Sequence, residues 1–242
     1  MGDLLLVQGL SKRFGGLRAI QDLSFSVGEG QTVALIGPNG AGKTTCFNLI
    51  TGYYRPDAGS IRAFGRDLVG LRPYEVCARG LARTFQVVRP FGKMTVLANV
   101  MTGALLRDKN LQVARGRARD TIEFVGLSAK EDRLACDLNA IDQRRLELAR
   151  ALATEPRLLL LDEVIAGLTP AETDQAVALV GELSRRGLTI VIVEHVMRAV
   201  MAVAQRIVVL DHGRKIAEGG PKEIAADPAV ITAYLGSRYS HA

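Results

Sequence analysis

The 242-residue sequence predicts an α/β protein with a mostly parallel core sheet, an N-terminal antiparallel β subdomain and an inserted helical subdomain. Three observations carry that expectation. Uninterrupted apolar runs occur at TVALIG (32–37), PRLLLLDE (156–163) and LTIVIVEH (188–195), as expected for strands covered on both faces. The last two each follow a helical stretch, and that alternation implies parallel pairing. The middle of the chain, roughly 73–137, is Arg-rich, helical in pattern around 113–125 and poor in strand signals. Composition agrees: 48% hydrophobic residues with only 5% aromatics describe a core of Leu, Val, Ile and Ala.

Taken in order, the first 30 residues read as β structure, with LSFSV (23–27) alternating apolar and polar before the turn GEG. The run TVALIG passes through a Gly-rich turn into an apolar-periodic helix over 43–51, stopped by Gly52. RPDAGSIRAFG (55–65) carries turn residues between short strands. An amphipathic helix runs on from Gln143, with Leu146, Leu148, Ala149 and Leu152 as its apolar stripe and Arg144, Arg145 and Arg150 on its polar side. Asn139 or Asp142 can cap its start. RIVVLDHGRKIAEG (206–219) reads as a hairpin, and no internal repeat is visible.

A net charge of +6 fits an anionic partner or a solvated basic face. Cys46, Cys77 and Cys136 form no C-x-x-C pair and lie apart from His195, His212 and His241, which argues for a reducing cytosol and against a disulfide framework or zinc site. The N-terminus lacks a signal-peptide pattern, and no apolar stretch approaches the ~18 residues of a membrane span, so a soluble chain is expected.

The chemistry concentrates in two motifs. GPNGAGKTT (Gly37, Pro38, Asn39, Gly40, Ala41, Gly42, Lys43, Thr44 and Thr45) matches the phosphate loop G-x-x-x-x-G-K-[ST], between a buried strand and a helix. Its glycines let backbone N–H groups wrap a phosphate, and the helix N-terminus adds partial positive charge. Lys43 is expected to reach the β- and γ-phosphates and Thr44 to bind Mg²⁺. The implied ligand is a nucleoside triphosphate. At the end of LLLLDEV, Asp162 suits the Mg²⁺ shell, directly or through water. Glu163 can polarise an attacking water as general base. The plainer alternative is a strand end whose acids only cap the next helix.

The phosphate loop, RTFQ, RRLELARAL, LLLLDE, GLTP and VIVEH occur in the order found in ATP-binding cassette (ABC) ATPases, which the chain resembles over nearly its whole length. The resemblance implies a P-loop NTPase fold as one domain, 1–242. About 1–86 and 154–242 would form the core with its β subdomain, about 87–153 the helical subdomain, and about 221–242 C-terminal accessory helices. It implies ATP and Mg²⁺ as cofactors, with Thr44, Gln86 and Asp162 around the metal. Phe14 would stack on adenine, Gln86 would sense the Mg²⁺ and the attacking water, and His195 would contact the γ-phosphate.

In that family the phosphate loop of one cassette faces a signature loop, usually L-S-G-G-Q, of another. Here the register puts Leu138, Asn139, Ala140, Ile141 and Asp142 there. Asn139 replaces a serine but keeps a donor. Ile141 replaces a glycine and hinders close backbone approach. Asp142 replaces a glutamine, adding negative charge within reach of a triphosphate. The expectation is a weakened but working contact; the alternative is a loop without a catalytic role. Val164 stands where the family has proline, and Gly167, Leu168 and Thr169 would lie at the dimer seam.

ARTFQ, MTVLANV, VIVEHVMRAVM and the ending EGGPKEIAADPAVITAYLG resemble the ATPase subunits of bacterial branched-chain amino acid importers. The implied partners are transmembrane permease subunits, a second ATPase subunit of the same or another kind and, indirectly, a periplasmic or extracellular substrate-binding protein. No nucleic acid is implied, and the location would be cytoplasmic, on the inner face of the cell membrane. Arg107, Lys109, Arg115, Arg117 and Arg119 suit anionic lipid headgroups or a plain solvated face. Two other readings are a low-turnover regulatory subunit of a heterodimeric pair and a soluble ABC ATPase outside transport.

Overall fold

The structure, a computed structural model, describes residues 2–235. Two sheets organise it. Strands β1 (Asp3–Phe14), β2 (Leu17–Gly28), β4 (Ala58–Ala63) and β5 (Arg66–Asp67) form an antiparallel sheet in the order β2-β1-β4-β5. The second sheet has the order β10-β9-β3-β8-β7-β6, built from β3 (Thr32–Ile36), β6 (Leu81–Arg83), β7 (Leu158–Asp162), β8 (Thr189–Val193), β9 (Arg206–Asp211) and β10 (Arg214–Gly219). Five of its strands are parallel, and β10 closes the edge antiparallel to β9 as the expected hairpin.

The apolar runs are explained by their position. Every residue of β3, β7 and β8 is buried. Because side chains alternate across a strand, each run feeds two cores. Val33, Leu35, Leu158 and Leu160 pack toward the antiparallel sheet and α1 (Lys43–Ile50). Ala34, Ile36, Leu159 and Leu161 pack toward the helices on the opposite face.

Between β6 and β7 lie α3 (Val96–Ala104), α4 (Leu111–Phe124) and α5 (Ala140–Leu152), which pack on one another. The buried stripe of α4 is Ala114, Ala118 and Ile122, one residue per turn. A Cβ on Gly103 of α3 would lie 2.4 Å from the Arg150 carbonyl oxygen of α5, so the small residue permits that close crossing. Other helices are α2 (Pro73–Ala78), α6 (Pro170–Arg185), α7 (Met197–Val203), α8 (Pro221–Ala226) and α9 (Pro228–Leu235). Residues 236–242, the tail of the expected accessory helices, and His241 with them, lie outside the described residues.

The structure sharpens three expectations. The strand-poor middle contains β6, which pairs in parallel with β7 in the core sheet; three residues are too few to show a periodicity. Of the two caps offered for the helix read from Gln143, Asn139 is the one used: its side chain accepts the Asp142 N–H at 2.8 Å, and α5 begins at Ala140. The basic face is smaller than its sequence. Arg107 donates to the Thr154 and Ala78 carbonyls, Arg117 pairs with Glu155 and Arg119 with Glu131. Among the described residues, no helix is long and apolar enough to cross a membrane.

Candidate nucleotide site

The phosphate loop leaves the end of β3 and enters α1 at Lys43. Its glycines are required by geometry. Gly42 has φ +105°, and a Cβ there would lie 2.7 Å from the Ala19 carbonyl oxygen; one on Gly37 would lie 2.1 Å from that of Leu210. The first turn of α1 carries no acidic residue and no side-chain cap, so its N–H groups are available to an anion. Lys43 is folded back over the loop, donating to the Gly37 and Pro38 carbonyls at 2.7 and 3.0 Å. Burial lowers its pKa, against the opposing pull of Glu163 and Asp162.

A cleft of about 610 Å³ is lined by residues 39–45 together with Phe14, Gln86 and Glu163. Phe14 sits at its rim, 40% exposed, with its ring edge-on to Tyr54 at 5.1 Å. An apolar face at the rim and backbone donors at the base suit a ligand with an aromatic end and an anionic end.

The carboxylates come from the end of β7. Asp162 is 1% exposed; its Oδ2 accepts from Arg83 Nη2 at 2.6 Å, while its Oδ1 is buried without a partner. Burial raises its pKa, and Arg83 opposes that rise. Glu163 has φ +50°, uncommon for a residue with a side chain and typical of strain held at functional sites. Its N–H donates to the Val193 carbonyl on β8 at 2.9 Å, and its Oε2 accepts from Gln86 Nε2 at 2.6 Å. Thr44, Gln86 and Asp162 all line an adjoining cavity of about 650 Å³. The orphaned Asp162 oxygen, the Thr44 hydroxyl and the Gln86 amide oxygen are hard oxygen donors that fit Mg²⁺. Among the described residues no cluster of three His, Cys, Asp or Glu exists, so phosphate oxygens and water would have to complete such a shell.

The structure thus brings together Phe14, the phosphate loop, Gln86, Asp162 and Glu163. It does not bring His195 into either cavity: His195 is exposed, two residues beyond the Val193 that pairs with Asp162. Glu194 beside it is buried and accepts the Ile165 N–H at 2.6 Å. Residues 139–142 line neither cavity. Asn139 and Ala140 are exposed, Ile141 is half-buried, and Asp142 differs from expectation. Its carboxylate is buried in an ion pair with Lys130, which offsets the charge expected to face a triphosphate.

Several residues at the site carry no readable signal in the sequence. Arg83 donates to Asn48 of α1 at 2.5 Å as well as to Asp162, and packs over the rings of Phe47 and Phe85. The Thr84 hydroxyl accepts the Asp162 N–H at 3.1 Å. Glu147 of α5 accepts the Phe85 N–H. Arg83 and Thr84 lie within RTFQ, yet their partners are 79 and 78 residues away, beyond any local pattern.

Comparison with known proteins identifies the family. The family model for the ABC transporter matches residues 20–166, and that for the branched-chain amino acid ATP-binding cassette transporter matches residues 214–240. The chain is 43% identical over 249 residues to the high-affinity branched-chain amino acid transport ATP-binding protein LivG of Salmonella typhimurium, covering 96% of this chain and 98% of the relative. It is 42% identical over 250 residues to BraF of Pseudomonas aeruginosa, of the same description and coverage. The lipopolysaccharide export ATP-binding protein LptB of Haemophilus influenzae is 34% identical over 238 residues, covering 98% of this chain and 99% of the relative. Among solved structures, an ATP-binding cassette of an ABC transporter in its ADP conformation superposes with a TM-score of 0.88 at 32% identity, covering 98% of this chain and all of that one. The chain belongs to the ABC transporter family as an ATP-binding subunit, an ATPase homologous to the branched-chain amino acid transport ATP-binding proteins.

Proposed function

We propose that the protein hydrolyses Mg-ATP to drive uptake of branched-chain or related amino acids through separate permease subunits, at the inner face of the cell membrane. One observation carries the catalytic part: Gln86 bonded to Glu163 beside the phosphate loop, with an unpartnered Asp162 oxygen next to them. The transport part is supported by the higher identity to LivG and BraF than to the export protein LptB, and by the match over 214–240. A substrate-binding protein outside the cell would deliver the cargo.

In this reading Phe14 stacks on adenine, and the amides of Gly37 to Thr45 hold the phosphates. Lys43 exchanges its two loop carbonyls for β- and γ-phosphate oxygens. Thr44, Asp162 and Gln86 would hold Mg²⁺, which would neutralise charge on the phosphate oxygens. Glu163 accepts the proton of the water that attacks the γ-phosphorus, and ADP leaves. His195 reaches the γ-phosphate once a second cassette closes over the site. From that cassette Asn139 contributes its amide NH₂, since its oxygen is committed to capping α5. The Lys130–Asp142 pair supports a working loop despite the departures from L-S-G-G-Q.

The test is the mass of Glu163→Gln in solution with and without Mg-ATP, by light scattering. An ATP-dependent dimer supports a functional loop in a homodimer. An ATP-bound monomer favours the second reading, motivated by Ile141 and Asp142: an asymmetric pair with a different ATPase subunit.

A further inference from the structure

One buried acid has no part in the roles above. Glu147 lies eight residues beyond Asn139 on α5, is 8% exposed and lines the same cavity as Thr44, Gln86 and Asp162. Its Oε1 accepts the Phe85 N–H at 2.9 Å. Phe85 immediately precedes Gln86, whose Nε2 lies 2.6 Å from Glu163 Oε2. The Arg83 guanidinium packs over the Phe85 ring, 5.0 Å from its centroid, and Arg83 is bonded to Asp162.

A carboxylate here is costly. Burial pushes Glu147 up to about 7, and the charges facing it are Arg150 on its own helix, Arg83 on β6 and Asp162 on β7. An apolar side chain would carry no such penalty, but only an acceptor can hold the Phe85 amide. The bond joins two parts that are otherwise far apart in sequence, 62 residues. α5 is a continuous 13-residue helix whose capped start carries Asn139. Eight residues of helix span ~12 Å and move as a rod.

We propose that Glu147 is a positioning residue that latches α5 to the segment carrying Gln86, so that the start of α5 and the base Glu163 shift together. The inference rests on the roles given to Gln86 and Glu163 above and deepens them. When a second cassette displaces Asn139, the movement reaches Glu163 through Glu147, the Phe85 amide and the Gln86 side chain.

Three variants test it in the full chain. Glu147→Gln keeps an acceptor oxygen, Glu147→Ala removes it, and Glu147→Asp draws it back by one methylene. Glu147→Ala and Glu147→Asp are expected to lower kcat for ATP hydrolysis by roughly tenfold or more, the equivalent of one good hydrogen bond. ATP affinity, read with a fluorescent analogue, stays within about twofold because the phosphate loop is untouched, and Glu147→Gln recovers most of kcat. A kcat unchanged in Glu147→Ala and Glu147→Asp, a parallel loss of kcat and affinity, or no recovery in Glu147→Gln would overturn the latch. A readout without turnover is the Gln86 side-chain amide resonance in ¹⁵N spectra. It should move in Glu147→Ala and hold in Glu147→Gln; an unmoved signal in both overturns the proposal. An inactive wild type with that pattern of shifts would count against the ATPase function, not against the latch.

Discussion

Replacing Glu147 with glutamine should make the protein more stable at alkaline pH than the wild type, by an amount fixed by burial. In the folded chain this carboxyl is pushed up to about 7 from an ordinary value of 4.5. The folded state therefore holds a proton that the unfolded chain has already released. The stability linked to that proton is fully present below pH 4.5 and is lost as pH rises through about 7. At about 1.4 kcal/mol per unit, the loss is at most about 3.5 kcal/mol, of which about 2.5 falls between pH 5 and pH 8. Glutamine has the same shape, accepts the Phe85 N–H and never titrates. Urea unfolding of both proteins at pH 5 and pH 8 isolates the effect, because titrating groups that do not face Glu147 cancel in the difference. Glu147→Gln should gain about 2–3 kcal/mol on the wild type between those values. A difference that does not change with pH would refute this prediction and mean that the carboxylate is better solvated than its burial implies.

Lys43→Ala should abolish tight nucleotide binding: among the described residues the other cation lining the cleft is Arg18, whose guanidinium lies outside the phosphate loop and does not replace the Lys43 ammonium; calorimetry with ATP would reveal any retained binding. Arg83→Met leaves Asp162 buried without the ion pair it makes with Arg83, so thermal unfolding should register a loss of about 3–5 kcal/mol. A loss below about 1 kcal/mol would mean that the pair is not what holds Asp162.

What was legible in the sequence was local or contiguous. The phosphate loop announces itself because its glycines and its lysine fall within nine residues, and the turn tolerates little else there. Fully buried strands such as β7 are uninterrupted apolar runs and are read at once. β6 escaped because a three-residue edge strand ending in arginine has no period to detect. The ion pairs were out of reach for a different reason. Arg83 meets Asp162 across the sheet and Lys130 meets Asp142 across a loop, and pairing is a property of the packed fold. Asp142 is the instructive case: on sequence it adds charge to a loop meant for a triphosphate, yet in space a lysine already balances it. His195 stands apart. Its sequence context is specific, but in this single chain it remains exposed outside both cavities.

The role of Glu163 as the hydrolytic base is tested most directly by phosphate release from the wild type and from Glu163→Gln, measured side by side with ATP in Mg²⁺ and in EDTA. Release is expected from the wild type in Mg²⁺ alone, and the Glu163→Gln variant should bind ATP with similar affinity but turn it over at least about a hundredfold more slowly, the reach of one positioned general base. Release by Glu163→Gln at the wild-type rate would contradict that role, because the base would then lie elsewhere than at the end of β7.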